Sequence, residues 1–261
     1  MGHTTSLENA LLILKSFSIN QPEMSVTNVA DLLGVAKSTA HRLLSSLAAE
    51  GFVVKDHQTH LYSPGSSILA LTTIINSQIH ILNEAAPVLN MLVESTGENA
   101  HLAILEGLDI IYLQTIDGIY PSDDFIHIGR RHPAFCTSSG QAILAFSEEA
   151  ANEAAQNLYP YTKKTIISAE KFSQRLLQIR EKGYTVCEME FREQITGIGA
   201  PVFNEKKKAI ASVNITTDPK RAASPILQKR YISAVQEAAK QMTDIVTLRK
   251  RRIEDGRIRK R

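Results

Sequence analysis

The side chains of this 261-residue chain best equipped for chemistry crowd into nine positions near its start. Lys37, Ser38, Thr39, His41, Arg42 and Ser45 all donate to phosphate oxygens or read base edges. No acid falls between Asp31 and Glu50, so the stretch is locally positive. Ala40, Leu43, Leu44 and Leu47 interleave at helical spacing, which predicts a helix over 36–50 with a polar outer face. A DNA major groove admits one such helix. The plainer reading is a solvated face on a core helix, and the neighbouring elements have to decide.

A second set lies far downstream. Thr137, Ser138, Ser139, Asn214 and Thr216 are small polar groups of the kind that orient a ligand in an otherwise apolar cleft. Arg130 and Arg131 precede them; either could pair with a ligand carboxylate, or both are exposed surface residues. Cys136 and Cys187 either touch such a ligand or are small buried residues. His127, His132 and Cys136 have the spacing of no recognised zinc motif, and neither metal nor cofactor is expected. Gly197-Ile198-Gly199 lacks the third glycine and the following helix of a dinucleotide fingerprint. Cys136, not a glycine, stands two residues before Ser138, so there is no nucleophile elbow. No His or carboxylate pair stands out beside a nucleophile, so no enzyme is expected. A DNA-tethered enzyme and a ligand-independent DNA-binding structural protein are the rival classes. A wholly apolar core in residues 99–220 would favour the second, and the small polar set argues against it.

The elements around the positive stretch favour DNA. Leu7, Ala10, Leu11, Leu14 and Phe17 predict an amphipathic helix over 5–18. Ser25 caps a second helix with Val26, Val29, Ala30 and Leu33 inward, and Gly34 ends it. The third helix follows at once and stops at Gly51. Phe52–Lys55 and His60–Tyr62 then read as two strands about a polar turn, a wing. Helix-turn-helix plus wing is a specific order of elements.

Beyond it, Ile68, Leu69, Leu71, Ile74 and Ile75 predict a helix too apolar to stay uncovered, hence a dimer contact. A helix over 79–95 follows, then a hairpin of 100–105 and 108–116, and a strand at Phe125–Ile128. Helices are expected at 138–146, 148–157 and 171–182, and strands at 184–189, 195–202 and 209–217. Ser224-Pro225 opens a long last helix. The fold class is therefore α+β, a mixed sheet flanked by helices behind a small helical domain.

The composition is that of an ordinary globular chain, 43% apolar and 21% charged, which excludes general disorder. No apolar run nears the ~18 residues of a membrane span, and the polar start has no signal-peptide core, so no membrane and a cytoplasmic location are expected. Two cysteines make no disulfide framework. Charge is uneven. Residues 1–65 carry four Lys/Arg and five Asp/Glu, residues 66–247 seventeen and twenty, and residues 248–261 eight and two. The basic balance is thus made by the tail, which is expected to extend beyond the last helix and to add salt-sensitive, sequence-independent affinity for DNA.

Ser25-Val-Thr-Asn-Val-Ala-Asp-Leu-Leu-Gly-Val-Ala-Lys-Ser-Thr-Ala-His-Arg-Leu-Leu44 resembles the N-terminal domain of the IclR family of bacterial transcriptional regulators. His127–Ala145 is similar to the family segment that leads into Gly-Lys-Ala-x-Leu-Ala, with Gln141 for the usual Lys. Gly183-Tyr184, Glu190 and Gly197–Phe203 resemble the segment ending in Cys-x-Ala-x-Pro, with Gly197 where Cys is usual. Ala211–Thr216, with Arg221 after it, resembles the strand whose small polar residues face the effector. The likeness spans about residues 5–250.

It implies a winged helix-turn-helix DNA-binding domain over 1–65, a linker helix over 66–78, a GAF-like effector-binding and dimerisation domain over 79–250, and a basic tail over 251–261. The expected DNA contacts are Ser25, Lys37, Ser38, Thr39, His41, Arg42, Ser45 and Lys55. The expected effector contacts are Ala134, Phe135, Cys136, Thr137 and Ser138 on a loop, Cys187, Glu190 and Gly197 on facing strands, and Asn214 and Thr216 on the last strand. Cys187 stands where the family often has Asp. The implied function is a transcriptional regulator, a homodimer or homotetramer on double-stranded operator DNA. Its small-molecule effector is expected to be an organic acid or aromatic catabolite.

Overall fold

Thr5 and Glu8 start the first helix by exchanging bonds: the Thr5 hydroxyl accepts from the Glu8 amide at 3.2 Å, and the Glu8 carboxylate accepts from the Thr5 amide at 2.6 Å. The structure, a computed structural model, describes residues 5–18, 20–78, 81–120 and 126–258. The chain divides into two units, residues 1–79 and 80–261.

In the first unit, α1 (Ser6–Ser16) buries Asn9 and Ile13 and leaves Leu7, Leu11 and Leu12 exposed. The expected stripe is therefore turned. A helical repeat of 3.6 admits two stripes one residue apart, and the one containing Ile13 meets Met24 and Val29 in the core. α2 (Val26–Leu33) opens on a second capping box, Ser25 with Asn28, and closes on Gly34 in the left-handed conformation at φ 64°. α3 (Lys37–Ala49) follows and buries Ala40, Leu43 and Leu44. β1 (Val53–Lys55) and β2 (Tyr62–Pro64) pair antiparallel. The second wing strand starts later than expected, because His60 takes a positive φ of 59° and ends the turn. Met24 and Tyr62 exchange backbone bonds of 2.9 and 2.8 Å, tying the wing to the entry of α2. α4 (Ser67–Gln78) is fixed at its start by the Ser67 hydroxyl, which donates to the Glu50 carbonyl at 2.8 Å; Leu69, Leu71 and Ile74 on it are exposed.

The second unit is α+β. α5 (Leu82–Thr96) leads through Gly97 into the hairpin of β3 (Asn99–Glu106) and β4 (Asp109–Ile116); Ile79 and His80, expected in this helix, lie outside the described residues. β5 is Arg131–Pro133, and a 3₁₀ turn at Ala134–Cys136 precedes α6 (Ser138–Leu144), α7 (Glu148–Ala155) and α8 (Ala169–Lys182). β6 (Thr185–Glu188), β7 (Thr196–Phe203), β8 (Ala209–Thr217), α9 (Pro219–Ala222) and α10 (Pro225–Ile258) complete it. The sheet order is β5-β4-β3-β8-β7-β6, antiparallel throughout rather than mixed as expected. The period of two sorts β8 by face: Ala211, Val213 and Ile215 pack in the core with α5 and α10, leaving Ser212, Asn214 and Thr216 for the opposite face. Among the described residues no helix is long and apolar enough to cross a membrane.

Two further expectations are corrected. Ile126–Ile128 is irregular rather than a strand, and Phe125 lies outside the described residues. The strand on β4 is β5, in register Ile110 to His132, reached through a left-handed Gly129. The segment after Thr247 does not leave the helix: α10 continues to Ile258, since its Arg, Lys and Ile residues sustain a helix and no proline interrupts it; residues 259–261 lie outside the described residues.

One buried carboxylate ties the ends of this unit together. Glu98, just after α5, accepts from Arg221 Nε and Nη2 at 2.8 and 2.9 Å and from the Tyr231 hydroxyl at 2.6 Å. The Arg221 guanidinium also lies 4.4 Å over the Tyr120 ring. Arg221→Met strands the carboxylate and should lower stability by ~3 kcal/mol, the low end for a buried pair because Arg221 is partly exposed. A urea midpoint within ~1 kcal/mol of wild type at unchanged slope would refute this account of the cluster.

Candidate functional site

On α3, Lys37, Ser38, His41, Arg42 and Ser45 are exposed on one side of the helix, and Thr39 is half-buried. The N-cap Ala36 supplies no side chain to the first amides, so this helix end keeps donors to offer. Ser25 is placed differently: its hydroxyl is engaged in the capping box with Asn28. Lys55 sits on the wing with its ammonium 5.7 Å over the Tyr62 ring.

In the second unit, a cavity opens between α6, the 3₁₀ turn and the polar face of the sheet. Of the ten expected contacts, Cys136, Thr137, Ser138, Cys187, Glu190, Gly197 and Thr216 line it. Ala134, Phe135 and Asn214 do not. Ala134 is pressed against Gly140, Phe135 packs edge-on to Tyr159 at 5.3 Å, and Asn214 Oδ1 accepts from the Ser139 hydroxyl at 2.7 Å. These three support the wall from behind.

Tyr112, Ile126, His132, Phe191, Arg192 and Ile195 also line the cavity and escaped the sequence reading. His132 follows only from strand register, which sets it opposite Ile110 and within 5.4 Å, ring to ring, of Tyr112 two residues further along β4. Glu190, expected on a strand, lies with Phe191 and Arg192 in the irregular link between β6 and β7. Arg130 and Arg131 are exposed, and Arg131 pairs with Glu106, so the cation in the lining is Arg192 instead. The cavity has a volume of about 40 Å³ for the centres of water-sized groups, room for roughly three waters at 10–15 Å³ each.

Its electrostatics combine one satisfied carboxylate, the Arg192 cation and otherwise neutral groups. Glu190 accepts from Gln141 Nε2 at 2.8 Å and from Arg175 Nη1 at 3.3 Å. Burial pushes its pKa up, while Arg175 and Gln141 oppose the rise. Burial, then the Glu190 charge, pushes both thiols up, and Cys187 donates to the Cys136 carbonyl at 3.1 Å. These are inert thiols at neutral pH. His101 bridges Thr216 at 2.9 Å and Thr115 at 3.3 Å, and burial depresses its pKa to about 3. His132 is depressed to about 4 by burial, then by the positive charges of Arg130 and Arg192. Its ring packs against Tyr112 at 5.4 Å and Phe191 at 4.6 Å, and its Nε2 is buried without a hydrogen-bond partner. Among the described residues no three His, Cys, Asp or Glu side chains converge as a metal site.

The sequence profile described as the bacterial transcriptional regulator IclR C-terminal domain matches residues 74–244, and that of the IclR helix-turn-helix domain matches residues 6–57. The HTH-type transcriptional regulator XynR of Escherichia coli (strain K12) is 31% identical over 215 residues, 81% of this chain and 85% of its own. The Thermotoga maritima IclR crystal structure superimposes with a TM-score of 0.77 at 24% identity, covering 92% of this chain and 96% of its own. An IclR homolog from Microbacterium hydrocarbonoxydans, crystallised with 4-hydroxybenzoate, superimposes with a TM-score of 0.79 at 19% identity, covering 92% and 98%.

Two histidines held neutral have a consequence for pH. Below their ordinary value of ~6.5 the unfolded chain takes up protons at these positions that the folded chain refuses, so stability falls as the pH drops towards 4. His132→Phe keeps the ring and removes one such proton. It should flatten the decline between pH 6.5 and 4 by up to ~1.4 kcal/mol per pH unit, read from urea midpoints; parallel curves for variant and wild type would sink the assignment.

Proposed function

Because the chain belongs to the IclR family of bacterial transcriptional regulators, we propose that its α3 reads operator DNA and that a small carboxylate in the cavity of the second unit sets how tightly it does so. The observation that carries the second half is unmet polarity in a confined space. His132 Nε2 has no partner, Arg192 brings a positive charge into the lining, and the Glu190 carboxylate is already engaged. A buried donor or acceptor left unpaired costs about 1–3 kcal/mol, which a ligand oxygen would recover. An acid that offers its carboxylate to Arg192 and a second oxygen to His132 or Thr216 fits this pattern. Room for about three waters suits a short-chain acid with the walls as they stand, and an aromatic acid requires them to move outward. The Microbacterium relative with 4-hydroxybenzoate supports an organic acid as the effector class.

On the DNA side, Lys37, Ser38, Thr39, His41, Arg42 and Ser45 are the groove-facing set, with Lys55 on the wing. The exposed Leu69, Leu71 and Ile74 of α4 favour a homodimer that covers them, with one half-site per protomer. Binding rather than catalysis is supported by the cavity chemistry: its thiols are protonated and its carboxylate is held by Arg175 and Gln141. An effector with different affinity for the DNA-competent and incompetent forms shifts their populations.

Two measurements test these halves separately. An operator selected from a random-sequence pool should be two-fold symmetric. Arg42→Ala should lose about 1–3 kcal/mol, concentrated at one base position, and Lys37→Ala should weaken all sequences alike. Unchanged affinity in both variants, or an asymmetric single site, defeats the DNA reading. For the cavity, short-chain oxo and hydroxy acids and 4-hydroxybenzoate, with their amides as neutral controls, are tested for thermal stabilisation of the full chain. Acids should stabilise the wild type, amides should not, and Arg192→Gln should lose the response. A panel without effect on the wild type rejects an acid effector, and equal stabilisation of Arg192→Gln rejects its cation.

A further inference from the structure

The charge of this DNA-binding chain is in an unexpected place. Its helix-turn-helix region, residues 1–65, has a net charge of −1, and the first 247 residues together have −4. A body of that sign has no long-range attraction to a polyanion; groove-facing Lys37 and Arg42 act only within a Debye length of ~8–10 Å. The missing charge is gathered in residues 248–261, with eight Lys/Arg against two Asp/Glu.

The structure shows how that segment is presented. Met242 is the last buried side chain of α10 among the described residues, with Ile245 and Val246 half-buried after it. The helix runs on to Ile258, about 24 Å beyond Met242 at 1.5 Å per residue. The matched C-terminal domain ends at residue 244, so Arg249, Lys250, Arg251, Arg252 and Arg257 lie on a helical extension beyond it.

We propose that this extension of α10 is a second DNA-binding element, an arm that contacts backbone phosphates without reading sequence. Duplex DNA is the partner the rest of the chain selects. Once α3 is in a groove, the tethered arm meets phosphates as an intramolecular event at high effective concentration. Arg and Lys are the phosphate-binding side chains, and each phosphate neutralised releases counterions. The arm therefore supplies the salt-dependent share of affinity, while α3 supplies discrimination.

The test compares the full chain with a full-length variant carrying R249Q, K250Q, R251Q, R252Q and R257Q, and with a chain ending at Thr247. Binding to a mixed-sequence duplex of about 30 base pairs is followed by fluorescence anisotropy from about 50 to 300 mM KCl. Both altered chains should melt like the wild type, because every residue of α10 that is buried among the described side chains is retained. The slope of log affinity against log salt should become shallower by about 3–4 units in each, at ~0.9 for every phosphate that is no longer neutralised. The ranking of operator sequences should not change. A slope within one unit of wild type overturns the proposal, and so does a changed operator preference. Vesicles with and without phosphatidylserine form the remaining arm: charge-dependent capture by anionic vesicles with an unaltered DNA slope would make a lipid surface the partner and refute the DNA assignment.

Discussion

Gly140, Gly197 and Gly199 set how closely α6 can lie on the sheet, and the cavity depends on that approach. A Cβ at Gly140 would overlap the Ala134 backbone, and one at Gly197 would overlap the Ser138 side chain. At Gly199 it would stand 3.0 Å from the Ser138 carbonyl oxygen. With these three positions bare, the turn that carries Cys136, Thr137 and Ser138 rests directly on β7 and β8. Ser139 then reaches Asn214, and Gln141 reaches the Phe135 carbonyl, Glu190 and Thr185. Gln141 stands where the resemblance leads one to expect Lys. Its amide, unlike an ammonium, can donate to the carboxylate and accept from the threonine at once.

The same contact explains why the cavity is chemically quiet. Pressing α6 onto the sheet buries the two cysteines, two histidines and one glutamate that surround it, and burial disfavours each charged form. Only Glu190 has a positively charged partner of its own, Arg175, which reaches it from α8. The thiols of the cavity are held protonated and offer no activated nucleophile. His132 Nε2 and Asn214 Nδ2 remain buried without a hydrogen-bond partner.

Much of this was legible in the sequence, and the misses share a cause. Caps and terminators are local signals, so Ser25, Gly34 and the hairpin about Gly107 read correctly. Alternation along one strand is also local, and it puts Asn214 and Thr216 on one face, as the resemblance implied. Seven of the ten contacts implied by the resemblance line the cavity; Thr137, Ser138 and Thr216 also carry a local polar signal, whereas Cys187, Glu190 and Gly197 rest on the resemblance alone. His132, Tyr112 and Arg192 were not found because their placement depends on which strand pairs with which and on an irregular link, and neither leaves a periodic trace. At 126–128, alternation suggested a strand that Gly129 turns aside. The stripe of α1 was misplaced because which of two overlapping apolar faces turns inward is decided by Met24 and Val29, outside that helix.

The division of charge bears on how a small ligand can govern a large polyanion. A ligand shifts an equilibrium only by its differential affinity for the two states, and tenfold requires ~1.4 kcal/mol. Satisfying one buried nitrogen such as His132 Nε2 is worth about 1–3 kcal/mol, enough for a change of roughly five- to 150-fold if the bond forms in one state alone. That is modest beside the electrostatic affinity of a strongly cationic DNA-binding domain, which would hold DNA whatever the cavity contained. A helix-turn-helix region of net −1 avoids this. With the arm proposed above carrying the sequence-independent attraction, a few kcal/mol at α3 would suffice to decide specific binding. A ligand in the second unit then needs to act only on the discriminating contacts of α3.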